Sequence, residues 1–151
     1  MEIQEILGYL LNSSAKLIKR TMDSYLDKYG ITTSQWAILK LLDNKIQLTQ
    51  TQIAKELLGD RATAGDVIQR LCEKGYIEKS LDKYDRRVYV VSLTPKAKNV
   101  IVDIEGMVSV VTKKALEGLT ESEEQILYKS LKHIINNLSQ EVSYDVGTRD
   151  I

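Results

Sequence analysis

The sequence predicts a mainly α-helical fold that contains one small β-hairpin. Two observations support this prediction: hydroxyl residues and glycines mark the starts and ends of several apolar-periodic segments, and one stretch, 76–93, lacks the helical period. Apolar residues that recur every three to four positions indicate amphipathic helices, whereas alternating β-branched and aromatic residues indicate strands. A chain of 151 residues is long enough for one domain with additional arms.

The helix starts are marked by hydroxyl residues that are followed three positions later by Gln or Glu. The pairs are Thr32 with Gln35, Thr49 with Gln52, and Thr120 with Glu123. In such a capping box each side chain satisfies a backbone amide that the first helical turn leaves without a partner. Pro95 marks a fourth start, because proline loses no hydrogen bond in the first helical position. Glycines at 30, 59, 75 and 118 mark the predicted ends of helices. The predicted helices cover 3–28, 33–43, 50–58, 61–74, 95–117 and 121–141.

The hairpin is predicted from the second half of the stretch 76–93. Tyr89, Val91 and Leu93 are expected to alternate with more exposed positions, which is the pattern of a strand with one buried face. This strand is expected to pair with 77–80, with the hairpin tip near Asp82–Asp85. By contrast, the last ten residues before the C-terminal Ile, 141–150, show no clear period and are expected to fray.

Two short predicted helices meet at Gly59, and the hairpin follows them directly. Asp60 stands where the second helix needs an N-cap. A helix, a tight turn with glycine and a second helix form a helix-turn-helix, and the hairpin extends it to a winged helix. Such a unit places its second helix in the major groove of DNA and its wing over the backbone or the minor groove. We therefore predict that residues 32–94 form a unit that binds double-stranded DNA.

Three segments of the chain carry a resemblance to a known family. They are Leu48–Leu57, Leu71–Lys79, and Asp85–Thr94, in which an Asp-x-Arg pattern leads to Leu-Thr. These segments, and the order of the helices over nearly the whole chain, resemble the MarR family of transcription regulators. The resemblance implies one MarR-like domain over 1–151. It also implies a regulator, usually a repressor, that a small ligand or another signal releases from a specific DNA site.

The resemblance assigns the DNA-facing positions. On the second helix of the helix-turn-helix, the recognition helix, they are Arg61, Thr63 and Arg70; on the wing they are Arg86 and Arg87, one of which would reach into the minor groove. Asp66 on the same helix and the basic Lys83 near the hairpin tip are also expected to face DNA. Asp85 would hold the wing loop through an ion pair. Gly65 and Asp66 depart from the family pattern, which often has a hydroxyl residue and a basic residue there. An aspartate at this place would either be repelled by phosphate or accept a hydrogen bond from a cytosine amine.

The two ends of the chain are expected to form the dimer. Apolar side chains recur at helical spacing near the N-terminus and again near the C-terminus: Ile3, Ile6, Leu7, Leu10 and Leu11, then Ile126, Leu127, Leu131, Ile134, Ile135 and Leu138. We expect 1–30 and 95–141 to be dimerisation helices, because a small winged-helix core cannot bury both stripes. A two-fold homodimer would match a palindromic operator.

The resemblance also implies a ligand crevice between the first helices and the DNA-binding unit. Tyr9, Asn12, Ser13 and Trp36 would line it and receive a small aromatic or amphipathic effector. For Trp36 a core position is the alternative, because it lies on an apolar helix face.

Composition and motifs exclude several other classes. The 21 basic and 21 acidic residues give no net charge, which is a mild argument against a nucleic-acid partner, although a local excess would suffice. The single cysteine, Cys72, cannot form an intramolecular disulfide and fits the cytoplasm. No apolar run is long enough for a membrane span. The sequence offers no phosphate loop, no nucleophile beside a histidine and no zinc pattern around His133, so we expect no catalytic residues, cofactor or metal.

Two alternatives to a ligand-responsive DNA regulator stay open. A winged-helix module that binds only protein is favoured by the near-neutral charge, by Gly65 and by Asp66. A redox switch is the other alternative, because Arg70 and Lys74 could lower the pKa of the Cys72 thiol.

Overall fold

The computed structural model describes residues 1–57 and 59–149 and confirms a mainly α-helical fold with a small antiparallel sheet. The elements are α1 Leu7–Leu26, α2 Thr33–Lys45, β1 Gln47–Leu48, α3 Gln50–Glu56, α4 Arg61–Glu73, β2 Ile77–Leu81, β3 Tyr89–Leu93, α5 Pro95–Ala115 and α6 Glu121–Arg149. The chain divides into two compact units, Met1–Thr112 and Lys113–Ile151. No helix in the described part of the chain has the length and apolar character that a membrane crossing requires.

The predicted helix starts are confirmed at the level of single hydrogen bonds. All three predicted capping boxes form; in the first, Thr32 Oγ1 accepts from the Gln35 amide at 3.2 Å and Gln35 Oε1 accepts from the Thr32 amide at 3.2 Å. At the helix ends, Gly30, Gly75 and Gly118 have φ values of 64°, 76° and 91°. These left-handed conformations stop each helix where the sequence predicts, because only glycine adopts them without a steric cost.

Two predicted helix boundaries are wrong. The expected helix 3–28 is interrupted at Ile6, whose backbone is extended, and short 3-10 turns at Ile3–Glu5 and Asp27–Tyr29 flank α1. Such turns are common at helix ends, where hydrogen bonds are incomplete. At the other end, α6 runs to Arg149 instead of fraying from residue 141. An established helix extends at little cost, since only its nucleation is unfavourable; residue 150 lies outside the described residues.

The sheet has three strands in the order β1-β3-β2, all antiparallel. The hairpin of β2 and β3 is the predicted one, whereas β1 was not predicted. The expected alternation of β3 is wrong at its start, because Tyr89 is exposed and Val90 is buried beside Val91. Val91 lies at the centre of the sheet, with Leu48 of β1 on one side and Lys79 of β2 on the other. Because β1 directly precedes α3, this pairing holds the start of α3 beside the hairpin.

The core of the first unit fixes the recognition helix. Its fully buried side chains come from five helices and the sheet: Leu26, Leu39, Leu42, Ile53, Ile68, Leu71, Val91 and Ile104. In α4, Ala64, Ile68 and Leu71 are buried at helical spacing. Each fully buried Leu or Ile contributes about 1.5–3 kcal/mol relative to exposure. The opposite face of α4 is therefore the one presented to solvent.

A carboxylate joins α1 to α2. Asp23 Oδ1 accepts hydrogen bonds from the backbone amide and the hydroxyl of Thr33 at 2.9 and 2.6 Å, and Oδ2 lies 3.3 Å from Lys19 Nζ. The hydrogen bond from the Thr33 hydroxyl lowers the pKa of Asp23 below its ordinary value. The ionised carboxylate thus fixes the direction in which the chain enters α2.

Candidate nucleic-acid interface

The helix-turn-helix is built by α3 and α4. Thr49 caps α3, and Asp60 caps α4 by accepting the backbone amide of Thr63 at 2.8 Å through Oδ1. Between the helices the amide of Gly59 donates to the carbonyl of Ala54 at 2.9 Å, which ends α3 and turns the chain. The buried Ile53 packs in the same core as the buried face of α4, so one core anchors both helices.

The face of α4 opposite its buried side chains carries three of the four predicted recognition-helix residues, and the fourth, Arg61, lies in the first turn, three residues before the buried Ala64. Arg61, Thr63, Asp66 and Arg70 are all exposed. Within the described residues, Asp66, Arg61 and Arg70 form no ion pair, so no neighbouring side chain neutralises their charges. The outward face of α4 is therefore mixed in charge, with Asp66 and Arg70 on it, while Arg61 lies at the start of the helix.

Thr63 is only partly available to a ligand. Its hydroxyl donates to Asp60 Oδ2 at 2.7 Å, while its amide donates to Oδ1 of the same carboxylate. These bonds lower the pKa of Asp60, with the bond from the Thr63 hydroxyl contributing most. With its hydroxyl proton engaged, Thr63 retains only acceptor capacity toward DNA.

Gly65 accommodates a side chain from α3. A Cβ at this position would lie 2.6 Å from Nε2 of Gln50, which is too close for any real contact. From this place Gln50 Nε2 donates to the carbonyl of Arg61 at 2.9 Å. The glycine that departs from the family pattern thus permits a hydrogen bond between the two helices of the helix-turn-helix.

The wing is held by the pair of Asp85 and Arg87. Both Nε and one terminal nitrogen of Arg87 reach the Asp85 carboxylate, at 3.1 and 3.3 Å, and the Arg87 amide donates to Oδ1 at 3.1 Å. These contacts lower the pKa of Asp85, the Arg87 side chain being the main cause. Arg87 nevertheless stays 89% exposed, and Lys83 and Arg86 are also exposed, so all three predicted wing cations remain accessible.

An open cleft of about 610 Å³ separates the helix-turn-helix from the wing. Its three charged lining residues, Arg61, Lys79 and Arg87, are all basic. Thr49, Gln50 and Thr51 from the start of α3 line the opposite side with hydroxyl and amide groups. The cleft therefore carries a local excess of positive charge, although the whole chain has no net charge.

Sequence reasoning missed Lys79 and the start of α3 as parts of this interface. Lys79 is exposed on β2 and reaches the cleft only because β1 holds α3 next to the hairpin. The alternation of β2 puts Lys79 on the same face as the buried Ile77, so the strand pattern alone would not have predicted its exposure. Its position opposite α3 requires the pairing of β1 with β3.

The remaining candidates lie apart from the cleft. Trp36 is buried in the core, while Tyr9 and Asn12 of α1 are exposed and Ser13 is half-buried. His133 is exposed on α6.

The expectation that Arg70 and Lys74 lower the pKa of Cys72 is wrong. Burial raises the pKa of this half-buried thiol, and the charges that act on it are Lys79 and Glu73, with opposite effects. A raised pKa reduces the thiolate fraction and hence the reactivity on which a redox switch depends.

Comparison with known proteins identifies the family. The sequence model of the MarR family matches residues 31–89, from the start of α2 into β3. A helix-turn-helix-type transcriptional regulator of Bacillus subtilis, YwaE, is 30% identical over 139 residues, which cover 91% of this chain and 81% of YwaE. The chain belongs to the MarR family.

Two solved structures show how closely this MarR-family protein shares the fold. One is a mutant of MarR from E. coli complexed with operator DNA, with a TM-score of 0.81 at 23% identity, covering 89% of this chain and 99% of that one. The other is BpsR of Bordetella bronchiseptica, whose DNA binding is regulated by 6-hydroxynicotinic acid, with a TM-score of 0.82 at 22% identity, covering 89% and 96%. The resemblance drawn from the helix-turn-helix and the wing is thereby confirmed for the family and for the fold.

Proposed function

We propose that this MarR-family protein is a dimeric repressor that binds a palindromic operator and is released by a small ligand. The observation that carries the proposal is the basic cleft between the start of α3, α4 and the wing, next to the solvent face of α4. A cleft with one sign of charge attracts the phosphate backbone, while the adjacent helix face can read bases.

In the proposed complex, the start of α4 enters the major groove. Arg61, Asp66 and Arg70 face base edges or flanking phosphates, and Thr63 accepts a hydrogen bond. Lys83 and Arg86 at the wing approach the minor groove, as wings of this type do. Arg87, fixed by Asp85, joins Lys79 in contacting the phosphate backbone across the cleft. The exposed residues at 32–94 thus act as the DNA-binding unit.

The dimer would be formed by the arms at 1–30 and 95–141. In α1, Leu7 and Leu17 are 58% and 59% exposed, and in α6 Ile126 and Leu138 are 61% and 55% exposed. Large apolar side chains with this exposure are stabilised when a second copy covers them. Light scattering at micromolar concentration is expected to give twice the mass of the chain, 17.1 kDa. A monomer mass would contradict the dimer.

The effector is proposed to be a small aromatic or amphipathic molecule. The regulation of BpsR by 6-hydroxynicotinic acid supports this class of ligand. Tyr9, Asn12, Ser13 and Trp36 remain the proposed lining of its crevice. Titration with a panel of aromatic carboxylic acids should release bound DNA, and no release by any member of the panel would contradict this part of the proposal. The proposed place of action is the cytoplasm, where a single free thiol stays reduced.

The central test is selection of DNA from random-sequence duplexes by the purified protein. We expect enrichment of a palindrome whose half-site centres lie one helical turn, about 34–36 Å, or a multiple of it apart. Affinity for the enriched duplex should fall steeply with salt, because phosphate contacts release counterions. A module that binds only protein would enrich no sequence, and this outcome would reject DNA-binding function.

A further inference from the structure

The C-terminal end of the recognition helix is bonded to the junction between α1 and α2. Lys74, the residue that ends α4, donates from Nζ to Gln35 Oε1 at 2.9 Å and to the carbonyl of Gly30. Gly30 ends the N-terminal arm and Gln35 belongs to the first turn of α2. The Lys74 side chain is half-buried, so its ammonium is directed into the protein.

Gln35 is a rigid anchor for this contact. It is 3% exposed, and the same Oε1 atom accepts the backbone amide of Thr32 at 3.2 Å in the capping box of α2. One oxygen therefore serves the start of α2 and the end of α4 together. A shift of α4 relative to this junction would break a partly buried charge-assisted hydrogen bond.

Neighbouring contacts tie the same helix end to the 3-10 turn that follows α1 and to α5. The Tyr76 hydroxyl, just beyond α4, donates to the Tyr29 carbonyl at 3.4 Å. Lys96 in the first turn of α5 donates to the Lys74 carbonyl at 2.7 Å, and its Nζ lies 4.6 Å from the centre of the Tyr76 ring. The end of α4 is thus held by both helices that lead into the proposed dimer arms.

We propose that Lys74 is a positioning residue that fixes α4 relative to α1 and thereby sets the half-site spacing that the dimer recognises. The inference rests on the proposed function, in which α1 is part of the dimer contact. In a two-fold dimer, the separation of the two recognition helices depends on how each α4 is held against its own arm. One base pair changes the half-site separation by about 3.4 Å and rotates one half-site by about 35° relative to the other, so the orientation in which α4 is held decides which spacing the dimer prefers.

Lys79 provides a matched comparison. Both residues are lysines near the recognition helix, but Lys79 is exposed and lines the basic cleft, whereas the Lys74 ammonium already has two acceptors inside the protein. Lys79 is therefore assigned to phosphate contact and Lys74 to positioning. The positioning role predicts that substitution changes the preferred half-site spacing, whereas the phosphate-contact role predicts that it changes the salt dependence of binding.

The experiment compares Lys74→Met and Lys79→Met on a duplex that the wild-type protein selects from random sequence. Two further duplexes carry one base pair inserted or removed at the centre of the palindrome. Fluorescence anisotropy over a range of salt concentrations gives the affinity and the slope of log affinity against log salt.

Wild-type protein should bind the altered duplexes about tenfold more weakly than the selected duplex. Lys74→Met should reduce this discrimination to less than about threefold or move the optimum by one base pair, without changing the salt slope. Lys79→Met should lower the slope by about one and keep the spacing preference.

Two results would overturn the assignment of Lys74: a lowered salt slope with unchanged spacing preference, or no change in either quantity. If Lys74→Met does not fold by circular dichroism, Lys74→Gln decides instead, because its neutral and shorter side chain removes the charge-assisted bonds but remains polar. A changed spacing preference in Lys74→Gln supports the inference, and an unchanged one overturns it. If the wild type enriches no duplex, the proposed function fails and the spacing role with it. If it enriches one and Lys74→Met behaves like Lys79→Met, only the spacing role fails.

Discussion

Gln50 occupies the space that a side chain at Gly65 would need, with its Nε2 atom 2.6 Å from the position of a Cβ. The contact joins the two helices of the helix-turn-helix through the hydrogen bond from Gln50 to the Arg61 carbonyl. A glycine inside α4 costs about 1 kcal/mol of helix stability relative to alanine. The hydrogen bond offsets a similar amount, since one such bond contributes about 0.5–1.5 kcal/mol.

This balance predicts a small effect for Gly65→Ala alone. The gain in helix propensity and the displacement of Gln50 should cancel, leaving the free energy of unfolding within about 1 kcal/mol of the wild type. In a Gln50→Ala background the same substitution should stabilise by about 1 kcal/mol, because nothing is displaced. Urea unfolding of the four proteins measures the coupling. Equal effects in the two backgrounds would show that Gln50 and Gly65 do not interact.

Arg86 and Arg87 are predicted to contribute to DNA affinity and not to stability. Each substitution by Ala should lower the slope of log affinity against log salt by about 0.9, the value for one phosphate contact. Stability should change by less than about 0.5 kcal/mol, because the positions are exposed. Lys98→Ala, which removes an exposed lysine of α5, is the control. If the arginine variants match this control in affinity and slope, the wing makes no contact with DNA.

Asp66 gives a test of how α4 faces the groove. Asp66→Asn removes the charge and keeps the shape. If Asp66 repels phosphate, the variant should bind all duplexes more tightly, by less than about tenfold. If it accepts from a cytosine amine, the variant should lose about 1–3 kcal/mol of discrimination at one base pair. Asp103→Asn, an exposed carboxylate of α5, controls for net charge. Unchanged affinity and preference would mean that Asp66 does not face DNA.

The bond between Asp23 and Thr33 predicts a pH dependence of stability. Because folding lowers the pKa of Asp23, its contribution is present above the unfolded pKa, near about 4, and is lost as the pH falls through the folded pKa. Asp23→Asn should therefore be less stable than the wild type at about pH 7, and the difference should shrink at about pH 3. The effect is expected to be modest, since the Asp23 side chain is 38% exposed. A difference that does not depend on pH would assign the effect to shape and not to charge.

Local signals in the sequence were sufficient for most of the fold. The caps at Thr32, Thr49 and Thr120 depend on residues three positions apart, so they could be recognised without knowing the tertiary structure. The strand β1 could not be recognised in this way. A strand of only two residues is too short to show an alternating pattern. In addition, the chain enters β1 through Ile46, whose backbone φ of 72° is unfavourable for a β-branched residue.

The sequence predicted only those parts of the candidate interface that lie within a single helix or a single loop. The exposed face of α4 follows from the spacing of Ala64, Ile68 and Leu71, and the Asp85–Arg87 pair spans two residues of one loop. The cleft needs α3 and the hairpin to be neighbours, which β1 determines. The contact of Lys74 with Gln35 joins residues 39 positions apart, and no local pattern encodes it.

The bond that Thr63 makes to Asp60 limits the DNA sequences that the start of α4 can read. With its hydroxyl proton held by a carboxylate, Thr63 can only accept, and Asp66, three residues further on, is an acceptor as well. Adenine and cytosine offer amino donors in the major groove, whereas the groove edge of guanine offers acceptors only. Where these two side chains meet the bases, the operator would therefore be expected to present adenine or cytosine, and a guanine there would leave two acceptors facing each other.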